Sequence, residues 1–422
     1  MGKVGLVLCG GVAKGAYEAG VLKAIAEHQI YPDAIVGISA GAINGTFAAQ
    51  LIAAGQFTGQ AVESELVHHW RETVNAQNLY QGFGRMDGDE MERRNLRTLF
   101  NRIGVDPLRR QYRPRIGFDS LFAFEQLIRG DFASLISHHF VRQIMEDYVR
   151  LPQVIKRPVK LSLVATDLMG STSLSDAMEL AARYSVYEDY VWSNEASHED
   201  WEANVQPRLT RMIEASSSFP FLFPPTRDAQ SGAMLFDGGL MDNAPIGRVI
   251  RMDPEIDTVL VVSGVTVVDR PEHEPDTLYG VLGRVFSMLA GRFVIQNYRK
   301  VRKENDKLER LHELLKRGRN GNVLQNAFNQ TLAQAAGYKS LDDLLERRIV
   351  RLIPIFPKPS LPGDVFEGFF RPELREAYIQ QGYRDASAAL GREAWVSTDA
   401  GVADIPEEAL IMARAFDHAF DA

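Results

Sequence analysis

The tightest constraint on this chain is a serine placed where one sequence pattern gives way to another. Residues 33–38 are a short apolar run of buried-strand type, and 40–54 are an Ala-rich stretch of helical character. The junction reads Gly37-Ile38-Ser39-Ala40-Gly41, a G-x-S-x-G. A strand that passes directly into a helix must bend sharply. The bend forces the serine into an unusual backbone conformation, and β-carbons at 37 and 41 would collide there. It also exposes the hydroxyl at the positive end of the following helix, where developing negative charge is favoured. Alone, the pattern fits a structural turn as well as a nucleophile. Its strand–turn–helix setting favours the nucleophile.

The residues before it repeat the arrangement. An apolar run at 4–9 leads into a glycine turn at 10–15 and a helical pattern at 16–28, with Val21, Leu22 and Ile25 on one face. Strands alternating with helices predict a parallel sheet covered on both faces. Right-handed crossovers then bring both strand C-termini to one edge. The turn Gly10-Gly11-Val12-Ala13-Lys14-Gly15 should therefore face Ser39. It is not a P-loop, because Gly15 is followed by Ala16 and Tyr17, and Lys14 comes too early. A dinucleotide fingerprint would need glycine at 12, where valine stands. Two readings stay open: a turn that packs a helix close to a strand, or backbone N–H groups aimed at an oxyanion. One such donor is worth roughly 3 kcal/mol of transition-state stabilisation. Lys14 either orients the loop, holds a headgroup, or is simply a solvated lysine at a helix start.

A third feature is Asp237-Gly238-Gly239, directly after the strand-like 233–236 and followed by Asn243 and Pro245. Asp-Gly alone signals a turn. A nucleophilic serine, however, needs a proton acceptor. The nine histidines, among them His68, His69, His138, His139 and His198, fall in polar or helical stretches without a motif. Asp237 is at a strand end, where catalytic groups of parallel sheets collect. A carboxylate of reference pKa about 3.9 is a weak base for a hydroxyl. It works only in a partly dry site with a well-held oxyanion.

Composition narrows the remaining classes. The chain has 422 residues, 45% hydrophobic, enough for a full core. A net charge of −8, with both signs mixed along the chain, argues against a nucleic-acid partner. The single cysteine, Cys9, allows no intramolecular disulfide and reads as a small buried hydrophobe. No signal peptide is visible and no apolar run reaches membrane-spanning length. The expectation is a cytoplasmic protein with at most peripheral membrane contact. Residues 56–157 read as a helical insertion. Sheet-type runs return at 159–166, 233–236 and 258–268, with a helix at 208–218. Beyond about 270 come helical patterns at 277–317 and 325–348, a strand-like 349–356, and helices to the end. The predicted division is therefore 1–270 and 271–422. Within 277–317, Leu278, Val281, Leu282, Val285, Phe286 and Leu289 form an apolar stripe. Leu308, Leu311 and Leu315 form another within the basic segment 299–319. A helix packed on the catalytic domain is the favoured reading over a surface for anionic lipid.

Taken together, the motifs resemble the patatin-like phospholipase family, whose pattern is a G-G-G-x-[K/R]-G loop, a G-x-S-x-G elbow and a later D-G-G. Ala165-Thr166-Asp167-Leu168 with Gly170, Ala215-Ser216-Ser217-Ser218-Phe219-Pro220 and Phe223-Pro224-Pro225 extend the likeness, as does the run from Asp237 to Pro245. It covers 3–265 discontinuously. The resemblance implies a three-layer α/β/α fold with a mainly parallel sheet and a mainly helical C-terminal region. It also implies a Ser39–Asp237 dyad acting through an acyl-enzyme, with an oxyanion hole from Gly10, Gly11 and Val12. Lys14, Gly15, Gly37, Gly41, Gly238 and Gly239 support the site, and no metal or cofactor is required. The implied substrates are phospholipids, lysophospholipids or neutral glycerolipids, and a protein or small-molecule activator is a conceivable partner. Acyl transfer, thioester hydrolysis and non-catalytic lipid binding stay open as alternatives. Val12 departs from the pattern. Its branched side chain resists positive φ, so either it keeps an ordinary conformation or the oxyanion hole is altered.

Overall fold

The computed structural model describes residues 2–75, 138–170, 184–220, 222–228, 231–265, 278–317 and 348–391, with isolated positions between 78 and 91 and between 329 and 335. Most of the expected insertion, most of the expected helix at 325–348 and the end of the chain lie outside the described residues, although 329–331 and 333–335 are helical. The opening unit is β1 (Lys3–Leu8), α1 (Gly15–Glu27), β2 (Ala34–Ile38) and α2 (Ala40–Ala53). α3 (His139–Tyr148) precedes the long β3 (Val159–Asp167) and β4 (Ser185–Trp192). Next come α4 (Gln206–Ser216), the short β5 (Thr226–Arg227) and β6 (Met234–Asp237). α5 (Ile246–Met252), β7 (Ile256–Val262) and the 40-residue α6 (Leu278–Arg317) follow. β8 (Arg351–Ile355) and α7 (Pro372–Leu390) complete the set.

One mixed, mostly parallel sheet runs β8-β7-β1-β2-β3-β6-β5, with β4 also paired to β3. β1, β2, β3, β7 and β8 are mutually parallel, as the alternation of strands and helices predicts. Their near-continuous Val, Ile and Leu content suits strands buried on both faces. β4 and β6 both run antiparallel to β3. The sequence reading missed β4 and expected Asp237 to end a strand of the parallel set. Register shows how the site arises all the same. β3 pairs with β4 along one edge from Val159 to Thr166. On its other edge, Val164 faces Ile38 and Ala165 faces Asp237. β2 and β6 therefore approach along a single edge of β3 and end tip to tip. Ser39 begins where one ends and Asp237 is the last residue of the other.

The sheet crosses the division expected near residue 270, because β8 lies beside β7 and α7 packs along α1. The two helices touch almost backbone to backbone. A β-carbon at Gly20 would come within 2.0 Å of the Ile379 carbonyl oxygen, and one at Gly382 within 2.0 Å of that of Tyr17. The Tyr17 hydroxyl donates to Asp385 across the same seam at 3.1 Å. α6 buries Phe286, Ala290, Val294, Ile295 and Tyr298, and then Leu308 and Leu311, in keeping with a packed helix. The other part of its stripe, Val281, Val285 and Leu289, is exposed. Among the described residues no helix is long and apolar enough to cross a membrane.

Candidate active site

Ser39 caps α2 with φ 54° and ψ −122°, a conformation that L-residues avoid. Local sequence makes it affordable. A β-carbon at Gly41 would sit 2.3 Å from the Leu8 carbonyl oxygen, and one at Gly37 would sit 2.5 Å from that of Gly41. The Ser39 N–H donates to the Ser216 hydroxyl at 3.0 Å, so α4 supports the bend from outside. The serine is 4% exposed.

Asp237 is fully buried. Its N–H donates to the Ser218 carbonyl, and its own carbonyl accepts from the Thr166 hydroxyl at 2.9 Å. Its Oδ1 accepts the Gly239 N–H at 2.8 Å, whereas Oδ2 lacks a well-formed hydrogen bond among the described residues. Burial pushes its carboxyl up to about 7, opposed by the Ser39 hydroxyl and the Gly239 N–H. Asp242, five residues on, accepts from Tyr187 of β4 at 3.0 Å and from Asn297 of α6 at 2.8 Å, fixing the turn from the far side.

The glycine loop is pinned peptide by peptide. The Asn243 side chain takes the Gly10 N–H on Oδ1 at 2.9 Å and gives Nδ2–H to the Gly10 carbonyl at 3.2 Å. Gly10 is thereby corrected as an oxyanion donor, because its only N–H is engaged. Its role is closeness: a β-carbon there would lie 2.9 Å from Ser39 Cβ. In a trans peptide the N–H points opposite the C=O. Asn243 therefore directs the Gly11 N–H away from itself, and the Lys14 N–H bonded to the Gly11 carbonyl at 2.9 Å does the same for the Val12 N–H. Neither of these two donors has a partner among the described residues. Val12 adopts φ 53°, so it does not keep an ordinary conformation: the branched residue takes the left-handed backbone itself. Lys14 is 2% exposed, so it is not a solvated lysine.

Over residues 6–250, more than half of its length, the chain matches the profile of the family described as patatin-like phospholipase. It belongs to that family. At the level of the family this is a lipid hydrolase. No curated protein sequence matches the chain. Among solved structures it is similar to VipD from Legionella pneumophila, with 14% identity and a TM-score of 0.35 over 92% of this chain and 67% of the other. It is also similar to the type III effector ExoU, with 15% identity and a TM-score of 0.29 over 93% and 53%. The chain thus spans about half to two thirds of those proteins.

Beside Ser39 lies an apolar cavity, walled by Val12, Phe47, Trp70, Phe219, Phe223 and Phe369 among others. Of the expected residues, Ser39 and Val12 line it, and Asp237 interacts with the Ser39 hydroxyl beside it. Sequence reasoning did not give roles to Asn243 and Ser216, although both fall in segments that carried the family likeness. Phe369 lies beyond the matched stretch and had no local signal. Of the histidines, His69 lines the cavity with Nδ1 3.1 Å from the Thr73 hydroxyl oxygen. Burial and His68 hold it below the usual histidine range. His138 is buried against Ser218 and Pro224 and stacked on Phe223. Burial pushes the Cys9 thiol up, which agrees with an inert core residue.

Proposed function

We propose that the protein hydrolyses carboxylic esters of phospholipids or lysophospholipids through a Ser39–Asp237 dyad. The Ser39 oxygen attacks the ester carbonyl while Asp237 Oδ2 takes its proton. The Gly11 and Val12 N–H groups hold the oxyanion, and the protonated Asp237 returns the proton to the departing alcohol. Water, deprotonated in turn by Asp237, then releases the fatty acid from the acyl-serine. The observation that carries this reading is the buried Asp237 oxygen left without a well-formed bond beside a strained serine at an apolar cavity. A carboxyl near 7 is suited to exchanging a proton with a hydroxyl at neutral pH. The cavity wall suits an acyl chain, and the exposed Val281, Val285 and Leu289 are compatible with peripheral contact with a lipid surface.

Fatty acid release from mixed phospholipid vesicles tests it. Ser39→Ala and Asp237→Asn should each lose activity by a factor on the order of 10⁴ or more. A fluorophosphonate should label the parent and not Ser39→Ala. His69→Gln should stay active. Loss of activity in that variant with Asp237→Asn unaffected would move the base to the histidine.

A further inference from the structure

Residues 364–375 lie outside the stretch that matches the family, yet they reach into the catalytic loop. The Val365 carbonyl accepts the Ala13 N–H at 3.0 Å, which fixes the peptide immediately after Val12. Asp364 Oδ1 accepts the Phe366 and Glu367 N–H groups at 2.7 and 2.9 Å, closing a short turn that ends at Phe369. Gly368 packs on Ala13: a β-carbon there would meet the alanine β-carbon at 2.9 Å. Phe369 then faces the cavity beside Val12 and Ser39.

One buried side chain holds this turn in place. Arg375, 3% exposed on α7, donates from Nη1 to the Gly368 carbonyl at 2.7 Å and from Nη2 to the Arg71 carbonyl at 3.0 Å. Arg71 follows Trp70, a wall of the same cavity. Among the described residues its hydrogen bonds go to backbone carbonyls, and a guanidinium buried in that way is costly. What it provides is geometry: a rigid fork spanning two segments that no point-charge donor would hold in the same relation. Val12 needs such support. A valine at φ 53° persists only where its surroundings fix it, and the two peptides flanking Val12 are pinned by Lys14 on one side and Val365 on the other.

We infer that residues 364–375 clasp the catalytic glycine loop and that Arg375 is a positioning residue for the reaction, holding the Val12 N–H at its working angle through the 365–369 turn. This rests on the Val12 N–H serving the oxyanion. With the clasp loosened, Val12 relaxes toward ordinary φ and swings that N–H away, while Ser39 and Asp237 stay where β2, β3 and β6 put them.

The test uses the full chain with Arg375→Met, Arg375→Lys and Gly368→Ala, each with and without Val12→Gly, on a soluble short-chain ester. Loss of an oxyanion donor is worth about 10²–10³ in kcat, so Arg375→Met should lower kcat by about 10- to 100-fold. KM should change little and the acidic limb of the pH profile should not move. Arg375→Lys should recover part of the loss. Gly368→Ala, which leaves the arginine intact, should reproduce it even if Arg375→Met fails to fold. Val12→Gly should restore most of the activity in each background, because glycine takes positive φ unaided. Unchanged kcat in the folded variants, a rise in KM alone, or a loss that Val12→Gly does not restore would overturn the clasp. A parent that neither hydrolyses nor labels would instead remove the underlying reaction, and the clasp with it.

Discussion

Two turns at one end of the sheet each hold a non-glycine residue at nearly the same positive φ, 54° at Ser39 and 53° at Val12. They are held by different means. The Ser39 elbow is supported mainly by its own small residues, with one added hydrogen bond to Ser216. Gly37 and Gly41 admit neighbouring backbone to contact distance, and α2 follows directly. The Val12 loop has little local support of that kind. Its neighbours are fixed by Asn243 and Val365, more than 200 and 350 residues away along the chain. Backbone strain can therefore be encoded locally, by small residues that make it cheap. It can also be encoded remotely, by hydrogen bonds that make the alternatives worse. The first kind survives changes elsewhere in the chain, whereas the second transmits them.

The largest effect expected from this contrast is at the elbow. Gly41→Ala puts a β-carbon 2.3 Å from the Leu8 carbonyl oxygen, and backbone of a central strand cannot yield as a side-chain tip can. It should destabilise the protein by about 3 kcal/mol or more, in the upper range for overpacking, as read by chemical denaturation. A loss under about 1 kcal/mol would mean that the elbow is not locally braced. The next effect separates the turns by pH. Asp237 must be unprotonated to accept the serine proton, and its carboxyl lies near 7. kcat/KM should therefore fall tenfold per unit below pH 7, about 100-fold by pH 5. Variants of the clasp should show the same curve displaced downward by a constant factor. A shifted midpoint would mean that the loop and the base are not independent.

The same contrast explains what was legible in the sequence. Ser39 could be found because the small residues that permit its bend lie within five residues, and the opening β-α-β-α unit because its periods are local. Asp237 was legible as a strand-end carboxylate, although the direction of its strand was not. Strand direction depends on pairing with β3, 70 residues earlier, and nothing in 233–239 records it. The oxyanion loop was legible as a glycine turn but its donors were only partly assigned. That Gly10 is engaged depends on Asn243, and that Val12 is held depends on Val365. Arg375 and Phe369 could not be seen at all. A lone arginine in an amphipathic helix carries no sign that its partners will be main-chain carbonyls.

The smallest effect is also the most direct measure of the strain itself. At an ordinary backbone position alanine is more stable than glycine by about 0.5–1 kcal/mol. At Val12 the order should reverse. Alanine loses the buried methyl groups and keeps the φ of 53°, whereas glycine loses them and is released from it. An L-residue in the left-handed region costs roughly 1–2 kcal/mol, so Val12→Gly should be the more stable of the two by about 1 kcal/mol. The parallel pair Ser39→Gly and Ser39→Ala should show the same sign. Breaking the clasp with Arg375→Met should then abolish the preference at 12 and leave it intact at 39, because the one distant bond at the elbow, from the Ser39 N–H to Ser216, does not run through the clasp. Equal preferences at both positions in that background would mean that Val12 is locked locally after all.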